Sequence, residues 1–160
     1  MRGRENGLTL VEILIALTIG VMFMAMLVPA IQLMMRLAPR QANELAVEHD
    51  LDLARRWLIR DGQASRSFTT LPRPGYGRFE WSDYTGRSPV KYQVTYYHDD
   101  ASLIREERRD GTVESTFIVA RNILTWDDVE FEAGAGVITV EITSTAGKVS
   151  RSAKIIIARR

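Results

Sequence analysis

Cysteine is missing from all 160 residues. That excludes disulfides, thiolate catalysis and cysteine-ligated metal centres, and leaves the compartment open, because exported proteins also do without it. Histidine occurs only as His49 and His98, whose spacing is not that of a metal pair. Net charge is nearly missing too, at +1, so no global field points to nucleic acid or an acidic partner. The most informative gap is local. From Ile13 to Met35 no residue is charged, and Gln32 is the only strongly polar one.

In a helix, about 20 apolar residues span the ~30 Å core of a bilayer. So long an uncharged run in a small chain reads as a membrane span and not as a buried core helix. It is too long for a secretory signal, and Leu27-Val28-Pro29-Ala30 before Ile31 makes a poor peptidase site. A simple signal anchor explains the hydrophobicity but leaves Glu12 without a purpose. An ionisable residue within a span is by default functional and needs a partner.

Glu12 belongs to Gly7-Leu8-Thr9-Leu10-Val11-Glu12, behind a short basic leader (Met1–Asn6) and ahead of the apolar run. This arrangement resembles the prepilin signal of type IV pilins and type II secretion pseudopilins. The resemblance implies that a prepilin peptidase cuts between Gly7 and Leu8 on the cytoplasmic side and methylates the new amine of Leu8. It implies that the apolar helix is retained and that Glu12 pairs with the N-terminal amine of a neighbouring subunit, setting register during assembly. Leu8 departs from the phenylalanine more usual there. Glycine before the cut keeps the backbone accessible, and a buried cation and carboxylate would each be costly alone. Removing Met1–Gly7 takes away Arg2, Arg4 and Glu5 and leaves the side-chain charges balanced. Pro29 lies where pilin helices often bend, since proline removes a donor and crowds the preceding turn.

The chain divides into a leader (1–7), a transmembrane helix half (8–36), an amphipathic helix half (37–62) and a β-rich extracytoplasmic domain (63–160). In the second helix half Val47, Leu51, Ala54 and Leu58 fall on one face with Trp57 beside them. Glu44, Glu48, Asp52, Arg55, Arg56 and Arg60 point mostly outward. The helix is expected to end near Asp61-Gly62, and Pro39 either starts this segment or kinks one continuous helix. The period then changes to two. Val90, Tyr92, Val94 and Tyr96 mark a half-buried strand, and Asp110-Gly111 joins two strands as a hairpin. Ile138, Val140 and Ile142 share a face of Val137–Ser144, and Thr145-Ala146-Gly147-Lys148 turns the chain into Val149–Ala158. Region Phe68–Pro89, with three prolines and three glycines, reads as irregular loop with at most short strands. The fold expected is α+β and pilin-like, a long N-terminal helix packed on an antiparallel sheet.

Little else suggests chemistry. His49 and His98 read as solvated residues, and Asp99-Asp100 and Asp127-Asp128 as turn-forming acids more than calcium ligands. Ser115, Ser144, Ser150 and Ser152 lack a histidine partner pattern. Arg105, Arg108 and Arg109, alternating with Glu106 and Glu107, read as a solvated strand and not as a phosphate track. No enzyme, cofactor or metal is expected.

The favoured function is a non-enzymatic filament subunit in the cytoplasmic (inner) membrane, a single-pass minor pseudopilin of a type II secretion-like system. Its loose support beyond the motif is Arg56–Asp61, the Tyr-rich hairpin and Leu103-Ile104-Arg105, which look like the minor pseudopilins that cap secretion filaments. The alternative is a minor pilin of a type IV pilus or competence filament. A membrane-anchored extracytoplasmic enzyme or binding module would need an active-site constellation that the sequence does not offer. The partners implied are prepilin peptidase, other pseudopilins or pilins, the inner-membrane assembly platform and lipid, with nucleic acid not expected.

Overall fold

The computed structural model describes residues 9–158, apart from residues 87 and 135 and the side chain of Arg36. Gly7 and Leu8 lie outside the described residues. One helix, α1, runs from Leu10 to Ala64. The chain forms two compact units, Met1–Gln41 and Ala42–Arg160, and α1 contributes to both.

In the first unit α1 is apolar and its side chains stand in solvent. Leu17, Phe23 and Met34 are about two-thirds exposed, as are most of their neighbours. This is the one helix among the described residues long and apolar enough to cross a membrane. Pro29 and Pro39 both lie inside it, so neither ends the helix, although each removes one backbone donor. Of the two expectations for Pro39, the continuous helix is the one observed.

In the second unit the remainder of α1 packs on two antiparallel sheets. Five strands follow in meander order: β1 (Ser67–Thr70), β2 (Gly75–Asp83), β3 (Val90–Asp99), β4 (Ser102–Arg109) and β5 (Thr112–Ala120). After a short 3-10 turn at Trp126–Asp128 come β6 (Val129–Ala133), β7 (Val137–Ala146) and β8 (Val149–Ala158), a three-stranded sheet in the order β6-β7-β8. The α+β, pilin-like layout is therefore present, with two sheets in place of the single one expected.

The apolar patterns explain the packing. Val47, Ala54 and Leu58 have no solvent exposure, and neither do Ile138, Val140 and Ile142 of β7. Leu51 and Trp57 pack against the same core. Asp110 and Gly111 take positive φ (47° and 85°) between β4 and β5, as a two-residue hairpin turn requires.

One expectation holds closely and another fails. The helix, expected to end near Asp61-Gly62, ends at Ala64. Gly62 serves as a contact point, because a Cβ there would lie 2.5 Å from Ile157 Cγ2. Region Phe68–Pro89 is not irregular: β1 and the nine-residue β2 occupy most of it. Two of its three glycines, Gly75 and Gly77, are strand residues. A Cβ on Gly77 would lie 2.5 Å from the Phe68 ring, so the glycine lets that aromatic lie across the strand.

Candidate functional site

The first unit carries its polar chemistry at the start of α1. Thr9 is the N-cap, and its N–H and Oγ1 both donate to Glu12 Oε2, at 2.8 and 2.9 Å. The Glu12 N–H approaches Thr9 Oγ1 at 3.4 Å. This is a capping box, in which side chains satisfy donors that the first helical turn leaves orphaned. Its signature, Thr9-x-x-Glu12, was present in the sequence and gives Glu12 a local role beside the intersubunit one that the resemblance implies. Both bonds go to one carboxylate oxygen. Pro29 lies farther along the same helix, amid exposed apolar side chains.

The second unit holds two buried carboxylates on the face of α1 that the apolar residues define. Asp61 is 1% exposed. Its Oδ2 accepts from Arg105 Nε at 2.7 Å and from Tyr96 Oη at 2.6 Å, and its Oδ1 accepts from Arg105 Nη2 at 2.9 Å. Arg105 also donates to Glu107 Oε2 at 2.8 Å. Its guanidinium packs against both Trp57 and Phe117, 4.6 and 5.3 Å from their centroids, and the two rings also touch each other at 4.8 Å. The reading of Arg105 as solvated is thus corrected: it is 1% exposed, turned inward on β4. Burial, then the Asp61 carboxylate, holds the Tyr96 phenol well above its ordinary range.

Asp50 is the second anchor. Its Oδ2 accepts from the Asn122 N–H (3.1 Å), Asn122 Nδ2 (2.7 Å) and Ser144 Oγ (3.2 Å). The helix is therefore tied to β3 and β4 through Asp61, and to the loop after β5 and to β7 through Asp50. Such buried, hydrogen-bonded carboxylates fix one docking of helix on sheets. Periodicity could have found them, since positions 50 and 61 continue the stripe of 47, 54 and 58.

The remaining expectations for reactive residues resolve simply. His49 is exposed, whereas His98 is half-buried and donates from Nε2 to the Ile123 carbonyl at 3.0 Å, so it is not a solvated residue. Asp100 sits in the β3–β4 turn with positive φ, and Asp128 accepts from the Thr125 N–H at 2.7 Å. Among the described residues no group of three or more histidine or acidic side chains is arranged to hold a metal. Ser144 is spent on Asp50.

Residues 2–28 match the family model of the prokaryotic N-terminal methylation motif. No match was found among curated proteins or solved structures. The matched segment spans Gly7, Leu8 and Glu12 and most of the apolar run, and it supports the reading of the chain as a prepilin-type protein. That motif implies processing by prepilin peptidase and assembly with other pilins. A long apolar N-terminal helix behind it is consistent with single-pass anchoring in the inner membrane.

Proposed function

We propose that the chain is a non-enzymatic filament subunit, a minor pseudopilin of a type II secretion-like machine. Prepilin peptidase releases residues 1–7, Leu8 becomes the methylated N-terminus, and the domain that follows the span stands outside the cytoplasmic membrane. The observation that carries the reading is one carboxylate, Glu12, inside a matched methylation motif and ahead of an otherwise uncharged helix. Exposed apolar side chains on every face of that helix call for lipid before assembly and for other helices after it. Cleavage creates a cation at Leu8, and methylation preserves it. Glu12 Oε2 accepts from Thr9, and Oε1 is the oxygen left to pair with the amine of a neighbouring subunit and set the axial register, the best-attested use of a buried ion pair.

The N-terminal motif serves a minor pilin of a pilus or DNA-uptake filament equally well. Arg105 on β4 is buried against Asp61, and Arg108 and Arg109 are paired with Glu106 and Glu114, an arrangement that disfavours β4 as a phosphate track without separating a secretion filament from a pilus.

Glu12→Gln and Glu12→Val test the assembly role. Both should be cleaved and inserted normally, yet recover sister prepilins in co-purification at least tenfold less than wild type. A simple anchor predicts unchanged recovery and unchanged secretion, and that result would overturn the proposal.

A further inference from the structure

The second unit has two long open strand edges, β5 and β8, each hydrogen-bonded to a neighbouring strand on one side only. They are built differently. β5 slips twice against β4 and carries Glu114, and bulges and charges are the usual protection of an edge. The β2–β3 ladder slips as well, between Gly75 and Gly77. β8 pairs all ten of its residues with β7 without a slip, and it contains no proline, glycine or acidic residue. We propose that the free edge of β8 is a docking site for an extended acidic segment of a partner protein, which adds to the β6-β7-β8 sheet as a fourth strand.

The hydrogen-bond pattern defines which groups are free. The Thr145 N–H points away from β8, to the Asn122 carbonyl at 2.8 Å. In an antiparallel ladder, residues that bond the partner strand alternate with residues that face away from it. The β7 residues that bond β8 are therefore Ile138, Val140, Ile142, Ser144 and Ala146, and their partners are the odd-numbered residues Val149 to Ile157. The N–H and C=O groups of Ser150, Ser152, Lys154 and Ile156 point to the open edge. All four residues are exposed, and among the described residues no other backbone group bonds them there.

The side chains at the edge are basic and apolar. Ile155 and Ile157 are buried in the core, whereas Ile156 is 65% exposed on the outer face. Lys154 lies on that outer face, opposite Glu141 of β7, and makes no ion pair among the described residues. Arg151 turns to Glu48 of α1 at 3.3 Å, so Lys154 is the cation left for a partner. A carboxylate placed beyond Lys154 continues the Glu141–Lys154 alternation across the sheet, and an apolar residue two positions along covers Ile156.

The charge also selects the occupant. From Lys148 to Arg160 the chain has five basic residues and no acidic one. A second copy offering the same edge brings cations against cations, so the charge that keeps copies apart admits an acidic strand. Phosphate groups match the charge but cannot donate to the edge carbonyls, which another backbone does. The site lies wholly in the second unit, so it stands or falls apart from the filament reading.

The test uses the full-length chain in detergent micelles and three synthetic peptides. One alternates valine with glutamate, one alternates valine with lysine, and the third is the acidic peptide with every amide N-methylated. Fluorescence anisotropy should show saturable binding of the acidic peptide, at least tenfold weaker binding of the basic one and none of the methylated one. With the acidic peptide bound, amide exchange should slow at least tenfold at Ser152, Lys154 and Ile156 and stay unchanged along β5. Ile156→Pro removes an edge donor without touching a β7 bond and should weaken binding at least fivefold. Lys154→Gln should do the same with Tm unchanged. If Ile156→Pro does not fold, Lys154→Gln and the methylated peptide decide. No saturable binding, equal binding of the basic or methylated peptide, protection at β5 in place of β8, or full binding by Lys154→Gln would overturn the proposal.

Discussion

Replacing Asp61 by alanine is the perturbation that strikes the second unit hardest. It removes three hydrogen bonds of 2.6–2.9 Å and strands the Arg105 charge against Trp57 and Phe117, with Glu107 as its remaining carboxylate. Removing one partner of a buried ion pair costs about 3–5 kcal/mol, a large part of the ~5–15 kcal/mol that holds a domain folded. At a few degrees per kcal/mol, Tm should fall by roughly 10–20 °C. Arg105→Met should cost a similar amount, because it leaves the Asp61 carboxylate buried with Tyr96 alone. The combination Asp61→Leu, Arg105→Met and Tyr96→Phe should regain most of the loss, since an apolar replacement of a buried pair is often neutral or better. Thermal unfolding by near-ultraviolet circular dichroism in one detergent reads all four proteins. If each single variant loses less than ~1 kcal/mol, as an exposed pair would, the pair is hydrated and the anchoring role is wrong.

Three further outcomes are expected. Gly62→Ala should lose about 1–2 kcal/mol although alanine is the better helix former, because its Cβ would collide with the branched Ile157 side chain; a Tm at or above wild type would contradict the close approach. Of the five tyrosines, Tyr76, Tyr96 and Tyr97 have phenols raised above 10.0, and the two buried ones, Tyr76 and Tyr96, should stay protonated until the second unit unfolds. Their neutral forms favour the folded state, so this stability is fully present below pH ~10 and is lost as pH rises further; phenolate absorbance that rises for all five before unfolding would contradict it. Thr9→Ala should fray the first turn of α1 by removing the N-cap, seen as faster amide exchange at Val11 and Glu12.

How much of this was legible can be argued from particular residues. The apolar stripe at 47, 54 and 58, the Asp110-Gly111 turn and the alternation in Val137–Ser144 were readable because each follows a fixed period or a turn geometry. β2 was missed because Gly75 and Gly77 read as punctuation, although one hosts a bulge and the other makes room for Phe68. Arg105 was misread because its charged neighbours Glu106, Glu107, Arg108 and Arg109 suggest water, whereas its partner Asp61 is 44 residues away and only the tertiary fold joins them. Asp50 and Asp61 carried a usable signal in their place on the apolar stripe. At the N-terminus the sequence motif exceeds what the fold adds, since Gly7 and Leu8 lie outside the described residues and the head alone does not specify a filament.

The central claim is processing with retention of the helix, and the N-terminal mass of membrane-extracted protein tests it most directly. The account predicts a chain that begins at Leu8, carries one methyl group on its amine and retains residues 8–160. A chain that begins at Met1, or one cut near Ala30 or Ile31, would contradict it.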